Sequence, residues 1–197
     1  MSRGVTTGRR WRRARQGLGL AMIMLLAGCA GAPSGTASGM AVMGPPPGKA
    51  MVVFLRPALL DQAASSPVLD ISAERPVLVG VIAAGRKLAY VSDPGARRFM
   101  VMGEAADFMD AELRAGRIYY ARIAPHQGTS SGRFALHPVA ASDIALASEL
   151  GDCSWADEAA RPGDWVEEHL ATIDKEKAAG LPAWVATRHS VLKADTP

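Results

Sequence analysis

Between residues 50 and 140 the sequence is a succession of short apolar segments, rich in β-branched and aromatic residues and separated by Gly, Pro, Ser and Asp. Segments of this kind at intervals of about 8–12 residues are typical of an antiparallel β-sandwich or barrel. We predict strands at residues 51–55, 68–72, 76–82, 87–92, 97–102, 117–124 and 133–139. The predicted fold class is therefore mainly β, an antiparallel β-sandwich over residues 50–140, which is long enough to bury one core.

The most specific turn signal in this region is Asp93-Pro94-Gly95-Ala96. Pro at the second position of a turn presets φ, and Gly at the third position accepts a positive φ, as a type II turn requires. We therefore predict that residues 87–92 and 97–102 form a hairpin. Residues 105–116 are polar with scattered apolar side chains, and we interpret them as a loop that turns into the next strand.

Residues 141–197 are predicted to form a small helical C-terminal appendage. Ser142 is placed to cap a short helix over residues 142–150. A longer helix begins at Asp164, which together with Glu167 matches the pattern of a capping box. The apolar face of this longer helix is formed by Val166, Leu170 and Ile173.

The longer helix is predicted to end just before Gly180, because Pro182 cannot continue the hydrogen-bond ladder of a helix. Trp155, Trp165 and Trp184 are spaced as an appendage would need to cover one face or edge of the sheet. We interpret these tryptophans as packing residues. The alternative is an aromatic surface that binds a sugar or a peptide.

Residues 1–28 have the layout of a secretory leader. Six arginines and no acidic residue accompany an apolar run, residues 18–26, which ends in Leu26-Ala27-Gly28-Cys29. The run is about half of the ~20 residues that a membrane-spanning helix needs, which favours a cleaved signal peptide. The pair Arg9-Arg10 also suggests twin-arginine export, but the apolar residues that should come after such a pair are missing. Ordinary secretion is therefore preferred.

The tetrapeptide Leu26-Ala27-Gly28-Cys29 resembles the lipobox of bacterial lipoproteins. The resemblance implies that a diacylglyceryl group alkylates the Cys29 thiol, that the leader is cleaved before Cys29, and that the new N-terminus is acylated. Two or more acyl chains make a stable membrane anchor. Ala30 stands where Asp would favour the inner membrane, which implies the periplasmic face of the outer membrane. The alternative is an ordinary signal or an uncleaved anchor with a chance cysteine.

Residues 29–49, which begin with the lipidated cysteine, have the composition of a flexible linker. Gly, Pro, Ala and Ser dominate this segment, which buries too little apolar area to offset the entropy of ordering it. Its triple proline, residues 45–47, is expected to be extended.

The net charge of +3 and the isoelectric point near 9.1 belong to the leader. Without the leader arginines, 16 basic side chains stand against 19 acidic ones. No later segment combines a basic stripe with aromatic residues, so we do not expect a nucleic-acid partner.

Nothing in the sequence has the pattern of a catalytic, metal or cofactor site. His126 and His137 would supply too few ligands for zinc. Glu104, Asp107 and Asp110 lack the spacing of an EF-hand, and we interpret them as part of a solvated loop. No serine lies in a nucleophile elbow. We therefore expect no catalytic residue, no metal ligand and no cofactor.

Cys153 is the remaining cysteine once Cys29 carries the lipid. We interpret Cys153 as a buried small apolar residue, because free cysteine is among the most buried residue types. The alternative is a thiol that forms an intermolecular disulfide.

The order Pro94-Gly95, then Phe99, then Ala111-Glu112-Leu113, then Gly116-Arg117-Ile118-Tyr119-Tyr120 resembles a pattern in uncharacterised bacterial lipoproteins of the domain-of-unknown-function type. These lipoproteins have a small transthyretin-like or PEGA-like β-sandwich. The resemblance covers about residues 50–140. Its motifs are a turn, a core aromatic residue and a strand start, so it implies a fold and no reaction.

These observations indicate a lipid-anchored module of the cell envelope that binds or scaffolds and is not an enzyme. Its expected partners are the membrane, through the anchor, and an envelope protein, peptidoglycan or a polysaccharide. The alternatives are an accessory subunit of a secretion or export assembly and a hydrolase of envelope substrates. A pocket that joins His126 or His137 to a carboxylate would favour the hydrolase, and an exposed aromatic patch would favour binding.

Overall fold

The computed structural model describes residues 44–58, 64–125, 133–157, 160–161, 163–187 and 189–193. The leader and most of the predicted linker lie outside these residues, as does His126. The elements in chain order are β1 (Ala50–Arg56), β2 (Ser66–Asp70), β3 (Val77–Ile82), β4 (Arg86–Ser92), β5 (Gly95–Val101), β6 (Asp107–Leu113), β7 (Ile118–Pro125), β8 (Phe134–Val139), α1 (Leu146–Asp152), β9 (Ser154–Trp155), α2 (Trp165–Val185) and β10 (Leu192–Lys193).

The strands form two sheets whose inner faces share one core. Sheet A has the order β8-β7-β1-β4-β9, and sheet B has the order β10-β6-β5-β2-β3. Parallel pairs occur in both sheets, since β1 runs parallel to β7, β4 to β9 and β10 to β6. The predicted mainly β fold with a helical C-terminal part is confirmed, although the sheets are mixed rather than wholly antiparallel.

The core between the sheets is built from alternate side chains of every strand except β9. At its centre Phe54 of β1 meets Phe99 of β5 edge to face, with ring centroids 5.1 Å apart. Both rings are fully buried. Since inward-facing residues of the two sheets interdigitate in this way, the fold is a β-sandwich.

Strand β1 is buried along its whole length because both faces of sheet A are covered there. Its alternate residues Met51, Val53 and Leu55 point away from the central core and pack beneath the segment that carries α1 and β9. Burial on both faces explains why this segment is a continuous apolar run without alternation. The two short strands β9 and β10 of the C-terminal part also extend sheets A and B.

Helix α2 covers the outer face of sheet B. Ile173 is fully buried there, and Val166 packs partly buried against the same cluster. Leu170, which was predicted to share this face, is 43% exposed. Asp164 precedes the helix, but its side chain makes no capping hydrogen bond. The predicted capping box is therefore wrong, and Glu167 forms an ion pair with Arg75.

Helix α2 continues through Gly180 and Pro182 to Val185, so the predicted end just before Gly180 is wrong. A Cβ atom on Gly180 would lie 3.0 Å from Cε2 of Phe108, which shows that glycine here permits close approach of the helix to β6. Trp184, beyond the proline, packs against Phe108 at a ring distance of 5.9 Å. These contacts offset the helix hydrogen bond that proline removes.

Helix α1 begins at Leu146 and ends at Asp152, later than the predicted residues 142–150. The carboxylate of Asp143 accepts a hydrogen bond from the Ala145 N–H (2.8 Å), which holds the preceding residues in a turn. Glu149 forms an ion pair with Arg122 of β7 (2.7 Å), which ties the helix to sheet A.

The predicted hairpin around Asp93–Ala96 is wrong. Strand β4 pairs with β1 and β9, whereas β5 pairs with β2 and β6, so the turn carries the chain from sheet A to sheet B. Gly95 has a φ of 120°, in agreement with the turn signal. The Asp93 carboxylate lies 2.6 Å from the Lys49 ammonium, which lowers the pKa of that carboxyl group.

The interpretation of residues 105–116 as a loop is also wrong, because β6 occupies most of this segment and pairs with β5 along its length. Asp107 and Asp110 therefore lie on a strand. The turn after β6 is fastened by Tyr119, whose hydroxyl oxygen accepts a hydrogen bond from the Arg114 N–H (2.7 Å). A tyrosine whose hydroxyl group forms a hydrogen bond with the main chain a few residues upstream is a recurrent feature of β-sandwiches.

Polar side chains close the two sides of the sandwich. Arg161 donates to the carbonyl oxygens of Val79 in β3 and Ala89 in β4, and burial lowers the pKa of its guanidinium. On the opposite side the Leu136 N–H of β8 donates to the Asp107 carboxylate of β6 (2.8 Å). Main-chain N–H and C=O groups that are hydrogen-bonded to side chains in this way are not available to pair with another strand.

The described end of the linker contains a turn. The Lys49 N–H donates to the carbonyl oxygen of Pro46 (3.0 Å), and Gly48 has a φ of 77°. The triple proline therefore leads into a turn of the type that Pro-Gly favours, and it is not extended throughout.

Candidate functional site

Of the cysteine and lipobox residues singled out from the sequence, Cys153 is described and Leu26, Ala27, Gly28 and Cys29 are not. Cys153 is 2% exposed and packs with Leu55, Val139 and Leu146. Burial raises the pKa of its thiol, although the nearby Lys87 ammonium opposes this shift. A thiol in this position would have to leave the core to form an intermolecular disulfide.

We expect Cys153 to resist thiol-reactive maleimide in the folded protein and to react in denaturant, because both its burial and its raised pKa suppress the thiolate. The measurement is mass spectrometry of labelled protein, with Cys153→Ala as the unreactive control. On a non-reducing gel the protein should migrate as a monomer. Rapid labelling without denaturant, or a dimer that dithiothreitol removes, would show that the thiol is accessible.

An open cavity of about 590 Å³ lies where the start of α2 meets one end of the sandwich. It forms there because β2 begins, β5 ends and β8 begins at the same end. The lining residues are Ala64, Ser65, Pro67, Met102, Gly103, Glu104, Phe134, Trp165 and His169. We call this site the α2 cavity. Its volume is within the range of about 300–1,000 Å³ that is usual for small-molecule sites.

One wall of the α2 cavity is a stacked pair of aromatic rings. Trp165 and His169 are separated by one helical turn, and their rings stack at 4.2 Å with an interplanar angle of 8°. His169 Nδ1 lies 2.9 Å from the Trp165 carbonyl oxygen. Because a carbonyl oxygen only accepts, this contact requires the proton on Nδ1.

Two of the residues that line the α2 cavity are held in place by Arg56, which is 2% exposed. Its guanidinium donates to the Ala64 carbonyl (2.6 Å), the Ser66 hydroxyl (3.1 Å) and the Ile82 carbonyl (3.0 Å). It also lies 4.3 Å from the ring centroid of Phe134. Burial lowers the pKa of this guanidinium. Arg56 thus contacts and fixes two of the lining residues, Ala64 and Phe134.

A second polar cluster lies away from the cavity and holds the C-terminal segment. Arg98 makes two hydrogen bonds to Asp110 (2.7 and 3.1 Å), and His189 Nε2 lies 3.3 Å from the same carboxylate. The Arg98 guanidinium is the main cause of the lowered pKa of Asp110. His189 also stacks on Trp184 at 3.6 Å. Since these groups satisfy one another, we interpret the cluster as a structural clasp.

The other aromatic and histidine candidates have separate positions. His137 is exposed on β8 and does not line the α2 cavity. Trp155 on β9 packs against the outer face of sheet A, whereas Trp165 and Trp184 pack against sheet B, so the three tryptophans do not form one surface. The sequence reasoning missed that Glu104 and His169 line one cavity. The spacing of Trp165 and His169, four residues apart on a helix, was the available signal.

Two further observations concern the described residues alone. No group of three or more His, Cys, Asp or Glu side chains among them is arranged to hold a metal ion. None of the helices in these segments combines the length and the apolar character needed to cross a membrane.

Neither a comparison with protein-family models nor a search of curated proteins finds a match to this chain. The resemblance to lipoproteins with a PEGA-like or transthyretin-like sandwich therefore stays a prediction.

Proposed function

We propose that the chain is a lipid-anchored module of the bacterial cell envelope that binds a ligand or partner and catalyses no reaction. The observation that carries this proposal is the leader, in which an arginine-rich segment, a short apolar run and Leu26-Ala27-Gly28-Cys29 come in the order that lipidation requires. Ala30 after the cysteine favours the periplasmic face of the outer membrane as the location of the sandwich.

The α2 cavity supports a binding role. It contains a serine, a histidine and a glutamate, which are residue types that hydrolases use. However, Ser65 makes no hydrogen bond to His169 in the described structure, and the Nδ1 of His169 is oriented by a carbonyl oxygen. Nucleophilic hydrolysis needs a nucleophile that is hydrogen-bonded to a base, and a carboxylate that orients this base. Recognition of a ligand needs only the cavity and its polar groups.

The test of the anchor is replacement of Cys29 in cells grown with an alkyne-labelled palmitate. Cys29→Ser should abolish labelling and release the protein from the membrane fraction, because the acyl chains supply the membrane affinity. Cys153→Ser is the matched control and should leave labelling and fractionation unchanged. Ala30→Asp should keep the label but move the protein to the inner membrane.

The proposal fails if the Cys29→Ser variant still fractionates with the outer membrane, or if the unaltered protein takes up no label.

A further inference from the structure

The linker joins the sandwich beside the turn that connects β6 with β7. The Gly116 N–H of this turn donates to the carbonyl oxygen of Lys49, the last residue before β1 (2.8 Å). The Met51 N–H donates to the Arg117 carbonyl oxygen (3.0 Å). A lipid at the start of the linker would therefore hold the sandwich through a segment that is hydrogen-bonded to this turn. We call residues 114–117 the arginine turn.

The arginine turn presents two exposed cations. Arg114 and Arg117 lie at its two ends, and both are exposed. Their guanidinium groups make no hydrogen bond or ion pair with any residue that the structure describes. By contrast, Arg75, Arg98 and Arg122 each form an ion pair with a carboxylate of the chain. The arginine turn therefore has two guanidinium groups that an anion from outside the chain can reach.

Among the described residues, acidic side chains at this end of the sandwich either have a cation of their own or lie apart. Asp93 lies 2.6 Å from the Lys49 ammonium, and Glu112 of β6 lies 3.2 Å from the Lys193 ammonium. Glu74 is exposed in the turn after β2. Since β5 lies between β6 and β2, that turn is about two to three strand spacings, or roughly 10–15 Å, from the arginine turn. This distance exceeds the Debye length of about 8 Å at physiological ionic strength, so Glu74 offsets the two arginines little.

The bilayer that holds the anchor supplies an anion that suits these two groups. A guanidinium group binds phosphate oxygens through two parallel hydrogen bonds, which makes arginine well suited to phosphate recognition. Each basic residue close to an anionic membrane surface adds a modest attraction. Two arginines would not hold a free protein there, but the anchor makes docking intramolecular and so raises the effective concentration. Residues 30–48 carry no charged side chain, so the linker does not oppose this contact.

We infer that the arginine turn docks on the anionic phospholipids of the bilayer that holds the anchor, with the Arg114 and Arg117 guanidinium groups donating to lipid phosphates. The inference rests on the proposed function, because the anchor brings the turn to the bilayer. Docking also sets the orientation of the sandwich. The α2 cavity lies at the opposite end, where β2 and β8 begin and β5 ends, so a docked sandwich presents this cavity to the periplasm.

The experiment measures which end of the sandwich lies against the membrane. Ala115→Cys places a thiol in the arginine turn, and Ala58→Cys places one after β1 at the opposite end; both positions are exposed. Each is made in a Cys153→Ala background and labelled with the fluorescent dye NBD. The acylated protein is then reconstituted into vesicles of phosphatidylcholine alone or mixed with phosphatidylglycerol. Both kinds of vesicle contain a lipid whose spin-labelled headgroup quenches the dye.

In the mixed vesicles we expect strong quenching of the dye at residue 115 and little quenching at residue 58. Quenching at residue 115 should fall in pure phosphatidylcholine and in high salt, because the attraction is electrostatic.

Two double variants test the arginines themselves. Arg114→Gln with Arg117→Gln removes both cations but keeps the main-chain hydrogen bonds of the turn. It should lower the ratio of docked to undocked protein by about tenfold to thirtyfold. The matched control is Arg133→Gln with Lys175→Gln, which makes the same change in net charge at exposed positions before β8 and on α2. This control should leave the quenching at residue 115 unchanged.

Three results would overturn the inference: equal quenching at the two ends, equal quenching at residue 115 in both kinds of vesicle, or equal effects of the two double variants. A dye at residue 115 that stays in water in every vesicle would also overturn it, and would leave the arginine turn to another partner such as an acidic envelope protein. Unchanged thermal midpoints confirm that the variants are folded. Acylated protein that gives one of these results contradicts this inference alone, whereas protein that takes up no palmitate contradicts the anchor and this inference with it.

Discussion

Replacement of Arg56 by alanine is expected to lower the free energy of unfolding by about 3–4 kcal/mol, because it leaves several buried acceptors without a hydrogen-bond donor. Arg56 donates to the Ala64 and Ile82 carbonyl oxygens and to the Ser66 hydroxyl, and its guanidinium covers the Phe134 ring. Each buried acceptor left without a partner costs about 1–3 kcal/mol before partial relaxation and hydration reduce the sum. The measurement is urea denaturation followed by circular dichroism.

Two further variants separate the causes of this loss. Arg56→Met keeps the length and much of the volume of the side chain, so it should recover the packing part of the loss but not the hydrogen-bonding part. Arg86→Ala is the matched control, because Arg86 is partly exposed and forms a 3.7 Å ion pair with the exposed Asp157. Surface pairs of this kind contribute about 0–1 kcal/mol. Equal, small effects of Arg56→Ala and Arg86→Ala would contradict the assigned role of Arg56.

Replacement of Phe99 by alanine is the second large effect that we expect, about 3–5 kcal/mol of destabilisation. Phe99 is fully buried at the centre of the sandwich. It meets Phe54 edge to face at 5.1 Å and Tyr90 at 6.0 Å. Tyr90 is held in place because its hydroxyl donates to the Asp70 carboxylate (3.1 Å). Because these neighbours are held in place, they can move little into the cavity that Phe99→Ala creates. The loss of stability should therefore lie towards the upper end of this range.

The comparison variants for Phe99 are Phe99→Leu, Tyr90→Phe and Val77→Ala. Phe99→Leu removes less volume and should cost less than Phe99→Ala. Tyr90→Phe keeps the ring and loses the bond to Asp70, so we expect about 1–2 kcal/mol. Val77 is 43% exposed at the end of β3, and its replacement should change stability little. If Phe99→Ala costs no more than Val77→Ala, the centre of the core has been placed wrongly.

The sequence was sufficient to predict strands where side-chain burial has a simple period. β4 and β7 alternate or are rich in aromatic and β-branched residues, and both were predicted within a residue or two. β6 was missed because acidic residues interrupt its apolar pattern. The structure shows that Asp107 and Asp110 have partners on neighbouring elements, the Leu136 N–H and the Arg98 guanidinium. These partners are distant in the sequence, so they can be identified only once the order of the strands in the sheets is known.

Turn chemistry predicted local conformation but not topology. Pro94-Gly95 specifies a chain reversal with a positive φ at Gly95, and that φ is present. The same turn serves a hairpin or a crossing between sheets, because the choice depends on which strands β4 and β5 pair with. The end of α2 was misplaced for a similar reason. Trp184 packs against residues of sheet B that are far from Pro182 in the sequence, so the local sequence does not reveal these contacts.

The α2 cavity could not be predicted from spacing. Ser65, Glu104, Phe134 and Trp165 are far apart in the sequence and meet only because the strands next to them reach the same end of the sandwich. The Trp165–His169 pair was the local part of this site. Its partner groups come from strand ends and from the loops beside them, whose positions depend on the sheet order rather than on any motif.

The position of β1 has a consequence for how the chain folds. Both neighbours of β1 come later in the sequence, and Met51 lies beside Ile118 of β7, which is far along the chain. A chain that is made from its N-terminus therefore exposes its most continuously apolar strand before either partner exists. Pairing between distant segments is slow, and unpaired apolar strands aggregate. The interval between the emergence of β1 and the arrival of β7 is thus the stage at which aggregation competes most with folding.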